Sequence, residues 1–344
     1  MKSYLLLFLI LLTRSVPAQI QTYSGKKISS TAFTQQITKA MDSLKVPGMS
    51  VAVINKGKIV FTKALGWADV DSKKPVTNAT LFEAASLSKP AFAFFVVTLA
   101  RKGVIDLDKP LFEYLPASHI ADERYKKITA RMVLAHTTGL PNWSEGTPMQ
   151  LEAEPGTQFS YSGEAYVYLA KVIAHLKGLT LENLDAFYQK EVAQQAGLKD
   201  FHFMITPAIK TKLATAYQDN KKVFDDRNRQ TFDPAGGLYA NAGEYAKFLC
   251  YLMKQQPVLK EMMNPVIELE KDHIIRTFFG VDAWSMGLAV IPVNHTVNYW
   301  HGGNNLGYTA SFMINPEKQL AYVFFTNADQ CNGLKKIFEN ILWQ

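Results

Sequence analysis

Strand-forming text in this chain is confined to its two ends. Near the start, "GMSVAVINKGKIVFTKALGWADV" reads as two strands around the turn Asn55-Lys56-Gly57. Near the finish, "WSMGLAVIPV", "VNYWHGG" and "GYTASFMINPEKQLAYVFFTN" read as further strands, the last two joined at Asn315-Pro316-Glu317-Lys318. The text between, from about 104 to 265, is helical and loop-rich. The simplest assembly is one antiparallel sheet built from both ends, with helices flanking it and a helical lobe inserted between. Two amphipathic helices bracket the sheet. Phe33, Ile37, Ala40, Met41 and Leu44 form a stripe capped by Ser30 or Thr31, and "NGLKKIFENILW" closes the chain. The expected fold class is α+β.

The first residues, "MKSYLLLFLILLTRSVPAQ", read as a secretory signal peptide over 1–18, cleaved after Ala18. The expectation is an exported protein, periplasmic or secreted, with no stable membrane span in the mature chain. Its formal charge of +7 is spread over scattered pairs such as Lys126-Lys127 and Lys221-Lys222. No dense basic stripe appears, which argues against nucleic acid as a partner. Cys250 lies in "EYAKFLCYLM", where Tyr245, Phe248, Leu249 and Leu252 recur at helical spacing, so a buried free thiol is favoured over a disulfide with Cys331. The histidines show no metal-ligand spacing, and no metal or organic cofactor is expected.

One segment carries chemistry. In "FEAASLSKPAFAFFVVTLARKG" a serine stands three residues before a lysine at the mouth of an apolar helix. Residues three apart share a helix face, so Ser86 Oγ and the Lys89 amine can touch. A desolvated amine can accept the serine proton, and a helix N-terminus favours an anionic oxygen. The competing reading is a capping serine beside a solvated lysine. A second Ser-x-x-Lys, Ser24 to Lys27, sits in a polar stretch with no apolar helix behind it and reads as linker.

Three segments then stand in order: Ser86-Leu-Ser-Lys89, Tyr161-Ser-Gly163 and His301-Gly-Gly303. With "IDLDKPLFEYLP", "AHTTGLP", "PGTQFSYS" and "PAGGLYAN" between or beside them, the mature chain resembles the penicillin-recognising serine hydrolases. These include class C β-lactamases, D-aminopeptidases, D-alanyl-D-alanine carboxypeptidases and esterases. The resemblance implies a β-lactamase/transpeptidase-like catalytic domain over 19–344. Its α/β lobe would come from about 25–103 and 266–344, and its all-α lobe from about 104–265. It implies Ser86 as acylated nucleophile, Lys89 as proton-transfer partner and Tyr161 as second general acid/base. It also implies an oxyanion hole from the N–H groups of Ser86 and Asn304, with His301, Gly302 and Gly303 as one wall. His136 is read as structural. The literal Tyr239-Ala240-Asn241 is rejected as the tyrosine motif, because "PAGGLYANAGEYAKF" resembles a different, later family segment, whereas Tyr161 follows "PGTQFS" and precedes the helical run "EAYVYLAKVIAHL".

Two departures stand out. Gly163 replaces an asparagine common in the family, and Glu164 is expected to take over part of its role. His301 replaces a lysine, so less fixed charge faces a substrate carboxylate, and acidification towards pH 6 is expected to protonate it. The reading is a serine hydrolase acting through an acyl-enzyme on a small ester, amide or D-amino-acid peptide. A class C-like β-lactamase and a slowly deacylating penicillin-binding or sensor module are the alternatives.

Overall fold

The computed structural model describes residues 19–144, 148–224, 229–293, 295–329 and 331–344. The proposed signal segment 1–18 lies outside them. The two chain ends meet in one nine-stranded sheet. In spatial order its strands are Ile267–Glu268, Ala283–Trp284, Ala289–Val293, Thr296–Asn305, Tyr308–Asn315, Leu320–Thr326, Gly48–Asn55, Lys58–Asp69 and Lys74–Pro75, each antiparallel to its neighbour. The junction of the ends is the pairing of Leu320–Thr326 with Gly48–Asn55, from Ala321 opposite Ile54 to Thr326 opposite Met49. At the Lys56-Gly57 turn both residues take positive φ, 51° and 69°, which matches the twist of a tight hairpin.

Central strands are buried on both faces, so they read as apolar runs. Their side chains still alternate between two cores. Val51, Val53, Tyr322 and Phe324 meet Phe33 and Ile37 of the helix Ser30–Ser43 and Phe338 of the C-terminal helix Gly333–Leu342. Ala52, Ile54, Val323 and Phe325 face the larger core, which holds the helices Ser88–Arg101, Gly163–Leu176 and Ala242–Lys254.

Three local expectations are corrected. The first helix is capped by Ser29, not Ser30 or Thr31, and the Ser29 hydroxyl accepts from the Ala32 N–H at 3.2 Å. Leu44 lies at the end of that helix, partly exposed rather than in its buried stripe. The Ser24–Lys27 stretch is no loose linker. It turns between the paired strands Gln19–Gln21 and Lys27–Ser29, with the Tyr23 N–H donating to Leu342 O. Cys250 and Cys331 are both free thiols. Among the described residues no helix is long and apolar enough to cross a membrane.

Candidate active site

The helix Ser88–Arg101 is apolar on every side, and only Thr98, Ala100 and Arg101 escape full burial. A helix of that kind must run through the core. The chain reaches it through Phe82–Glu83, which pairs with Tyr239–Ala240, and then through one 3-10 turn, Ala85–Leu87. Ala85 takes φ +48°, a left-handed conformation that costs about 1–2 kcal/mol in an L-residue. The Ser88 hydroxyl donates to Ala85 O at 2.6 Å and accepts from Leu238 N at 2.9 Å, and the Tyr245 hydroxyl donates to Leu87 O at 2.8 Å. These bonds hold the strained turn in place. Ser86 is the only residue from 81 to 97 that keeps solvent access.

Behind Ser86 lies Lys89, 1% exposed. Its Nζ donates to Ser86 Oγ at 3.2 Å and to Ala235 O at 2.7 Å. No carboxylate pairs with it among the described residues. Aromatic faces surround it instead, with Nζ 4.7 Å from the Tyr161 ring centre and 5.6 Å from that of Tyr166.

The strand Thr296–Asn305 forms the wall. A Cβ on Gly303 would lie 2.7 Å from Ser86 N and 2.9 Å from Ala84 O, so only glycine lets this strand lie against the serine turn. A Cβ on Gly302 would meet the Trp300 ring at 2.6 Å. The Asn304 side chain is tied back, with Oδ1 accepting from Thr309 Oγ1 at 2.8 Å and Nδ2 donating to Asn332 Oδ1 at 3.2 Å. Asn304 itself lines the cleft beside Ser86.

Tyr161 faces Ser86 across the cleft and makes no direct hydrogen bond to Ser86 or Lys89. Its ring rests on His136, with centres 4.1 Å apart and planes 25° apart. His136 Nδ1 accepts from the Ser162 N–H at 3.0 Å, which places the proton on Nε2. His136 thus supports Tyr161 directly, a role more specific than the sequence had given it. Its imidazole is held well below the usual pKa by burial, then by the charges of Lys89 and His301.

Three expectations about the wall and the Tyr161 segment are corrected. His301 is 1% exposed, and its Nδ1 lies 2.8 Å from Gly302 O, an acceptor, so Nδ1 carries the proton. Its Nε2 is sealed from solvent without a partner. Burial, then the Lys89 charge, lower its pKa to about 3. It therefore stays neutral at pH 6, its ring all but closed to solvent. At Gly163, a Cβ would meet the Trp143 indole at 2.6 Å. The space beside the missing amide is filled by an aromatic ring. Glu164 points away from Lys89, and its Oε1 accepts from both the N–H and the hydroxyl of Ser144 at 3.0 Å.

The decoys sit elsewhere. Tyr239 is buried in the strand pair behind Ser86, and Asn241 caps the helix Ala242–Lys254 by accepting from Glu244 N at 3.0 Å. Ser24 lies on an exposed turn.

Two lobes open from Ser86 and share Tyr161 and Asn304. One, about 430 Å³, is polar and is lined by Asn142, Trp143, Gln218, Asp233, Asn305 and Asp329. The other, about 220 Å³, is lined by Ile275, Phe279, Trp284 and Trp300. Asn142, Trp143, Asp233 and Asp329 were missed by sequence reasoning. Their signals, "LPNW", "FDPAGG" and "TNADQ", show no spacing that links them to Ser86.

The family description "Beta-lactamase" matches residues 33–336. A beta-lactamase of Escherichia coli (strain K12) is 26% identical over 60% of this chain and 57% of its own length. Esterase EstB of Burkholderia gladioli is 27% identical over 53% of each. The chain thus spans little more than half the length of these relatives. A class C beta lactamase from Rhodobacter sphaeroides superposes with TM-score 0.77 at 17% identity, covering 91% of this chain and all of the other. An octameric penicillin-binding protein homologue from Pyrococcus abyssi gives TM-score 0.77 at 20% identity, over 92% of this chain and 77% of its own. With a matched region that takes in the serine turn, Tyr161 and the glycine wall, the chain belongs to the Beta-lactamase family.

Proposed function

We propose that this protein is an exported hydrolase that cleaves small esters, amides or D-amino-acid peptides through an acyl-enzyme on Ser86. The observation that carries the reading is Ser86 Oγ, the one solvent-reachable group of its segment, 3.2 Å from a buried lysine amine. Relatives named beta-lactamase and esterase are in keeping with acyl transfer.

Ser86 Oγ attacks the substrate carbonyl, and its proton passes to Lys89 or Tyr161. Negative charge develops on the carbonyl oxygen between the N–H groups of Ser86 and Asn304, where fixed donors stabilise it. The carbon–leaving-group bond then breaks, and the departing group takes the proton. Water attacks the ester so formed, Tyr161 accepts the proton from that water, and Ser86 Oγ is released with its own proton restored. Gly302 and Gly303 let the substrate backbone lie close to the wall. The neutral, sealed His301 gives a carboxylate no counter-charge, which disfavours penicillins.

The test is stopped-flow hydrolysis of p-nitrophenyl acetate, with intact-mass analysis of the quenched enzyme. A burst followed by steady turnover, with one acetyl group per chain, is expected. A burst that ends at one equivalent would replace a hydrolase with a sensor. Benzylpenicillin turnover as efficient as that of the ester would replace it with a β-lactamase.

A further inference from the structure

The cleft is chemically divided. Apart from Lys89, which is already bonded to Ser86 and Ala235 O, no cation lines either lobe among the described residues. Two carboxylates line the polar lobe. Asp233 Oδ1 accepts from the N–H groups of Ala235 and Gly236, and Asp329 Oδ2 accepts from Gln218 Nε2 at 2.8 Å. Among the described residues neither has a cationic partner. Beside them stands Trp143, 53% exposed, its indole braced on Gly163. A tryptophan face with two unpaired carboxylates is a setting that attracts an ammonium group and repels an anion. The other lobe is walled by Ile275, Phe279, Trp284 and Trp300, and its volume of about 220 Å³ suits one ring or a short branched chain.

We infer that the preferred substrate carries a primary ammonium on the side of its scissile bond held in the polar lobe, and a compact apolar group on the other side. The inference rests on the acyl-enzyme reading of Ser86 and adds the substrate's charge. An α-amino acyl ester with a benzyl-sized alcohol has this form. A free carboxylate in the polar lobe would face Asp233 and Asp329, with no cation but the engaged Lys89 to offset them among the described residues.

The test compares kcat/KM for alanine benzyl ester, its N-acetyl derivative and its N-succinyl derivative, in both enantiomers, by chromatography of released benzyl alcohol. The free-amine ester is expected to exceed the N-acetyl ester at least fivefold. The N-succinyl ester should be at least tenfold slower than the N-acetyl ester. Asp329→Asn and Trp143→Ala should each bring the amine-to-acetyl ratio towards one. Equal or better cleavage of the N-succinyl ester overturns the inference. So does a ratio that neither variant moves. p-Nitrophenyl acetate, measured in parallel, separates the two failures. If it is cleaved and none of the benzyl esters is, the lobe assignment falls while the acyl-enzyme stands. If it is not cleaved, the acyl-enzyme reading falls as well.

Discussion

The floor of the cleft and its rim are built by opposite rules. On the floor, Lys89, His136 and His301 are each at most 1% exposed, and Ser88 is fully buried. Ser88, Lys89 and His136 are each held by a buried neighbour, and the backbone at Ala85 is strained. At the rim, Trp143 is half exposed and Glu164 holds only a surface turn. The floor fixes reacting atoms and tolerates no change of volume, whereas the rim presents surfaces that a substrate meets first. Chemistry should therefore fail outright when the floor is altered, and selectivity should drift when the rim is altered.

The largest effect should come from the floor's one accessible oxygen. Ser86→Ala should abolish labelling by a fluorophosphonate, and Ser24→Ala, on its exposed turn, should leave labelling intact. Labelling that survives Ser86→Ala would end the comparison at once. Tyr161→Phe should lower kcat by about a hundredfold or more, the scale of a lost general acid–base. Tyr239→Phe, in the strand pair behind the site, should change kcat less than about threefold in a folded protein. The reverse ranking would move the chemistry out of the cleft.

The buried histidines give a third test, of stability rather than rate. Both have pKa values lowered in the folded state, His301 to about 3. Above about pH 6.5 they are neutral whether folded or not. As pH falls below that, the unfolded chain gains protons that the folded chain refuses, so stability declines towards pH 3. Between pH 7 and 5 the loss from His301 should reach about 2 kcal/mol, read from urea midpoints. His301→Phe should flatten that slope, and an unchanged slope would show that the ring is not sealed. The smallest effect belongs to the rim. Gly163→Ala should push the Trp143 indole off its seat, shift its fluorescence, and raise KM about two- to fivefold for p-nitrophenyl acetate. A collapse of kcat instead would place Trp143 with the floor.

The parts legible in sequence were those written in local pattern. Strand text at both ends gave the sheet, and the spacing of Ser86 and Lys89 on an apolar helix gave their contact. Gly303 was legible as a close approach, though its partner, Ser86 N, was not. The state of His301 was misread because residue type alone carries an aqueous pKa, whereas burial and the neighbouring Lys89 act only once the chain is folded. Glu164 was misread for a related reason. Position beside Gly163 says nothing of which way a side chain turns, and Ser144 offered two donors on the far side. Trp143, Asp233 and Asp329 come from three separate loops, and only the fold brings them to one lobe.

The pairing of Leu320–Thr326 with Gly48–Asn55 has a consequence for how the protein comes into being. The strand Gly48–Asn55 waits for one about 270 residues later, so the sheet cannot close until Leu320–Thr326 has been synthesised. Pairings this distant in sequence form slowly, because a long loop must be ordered before any contact rewards it. Ser86 is made early, yet its wall at Gly303 arrives more than 200 residues later. A nascent chain therefore carries the nucleophile without the site until the strand Thr296–Asn305 has been made.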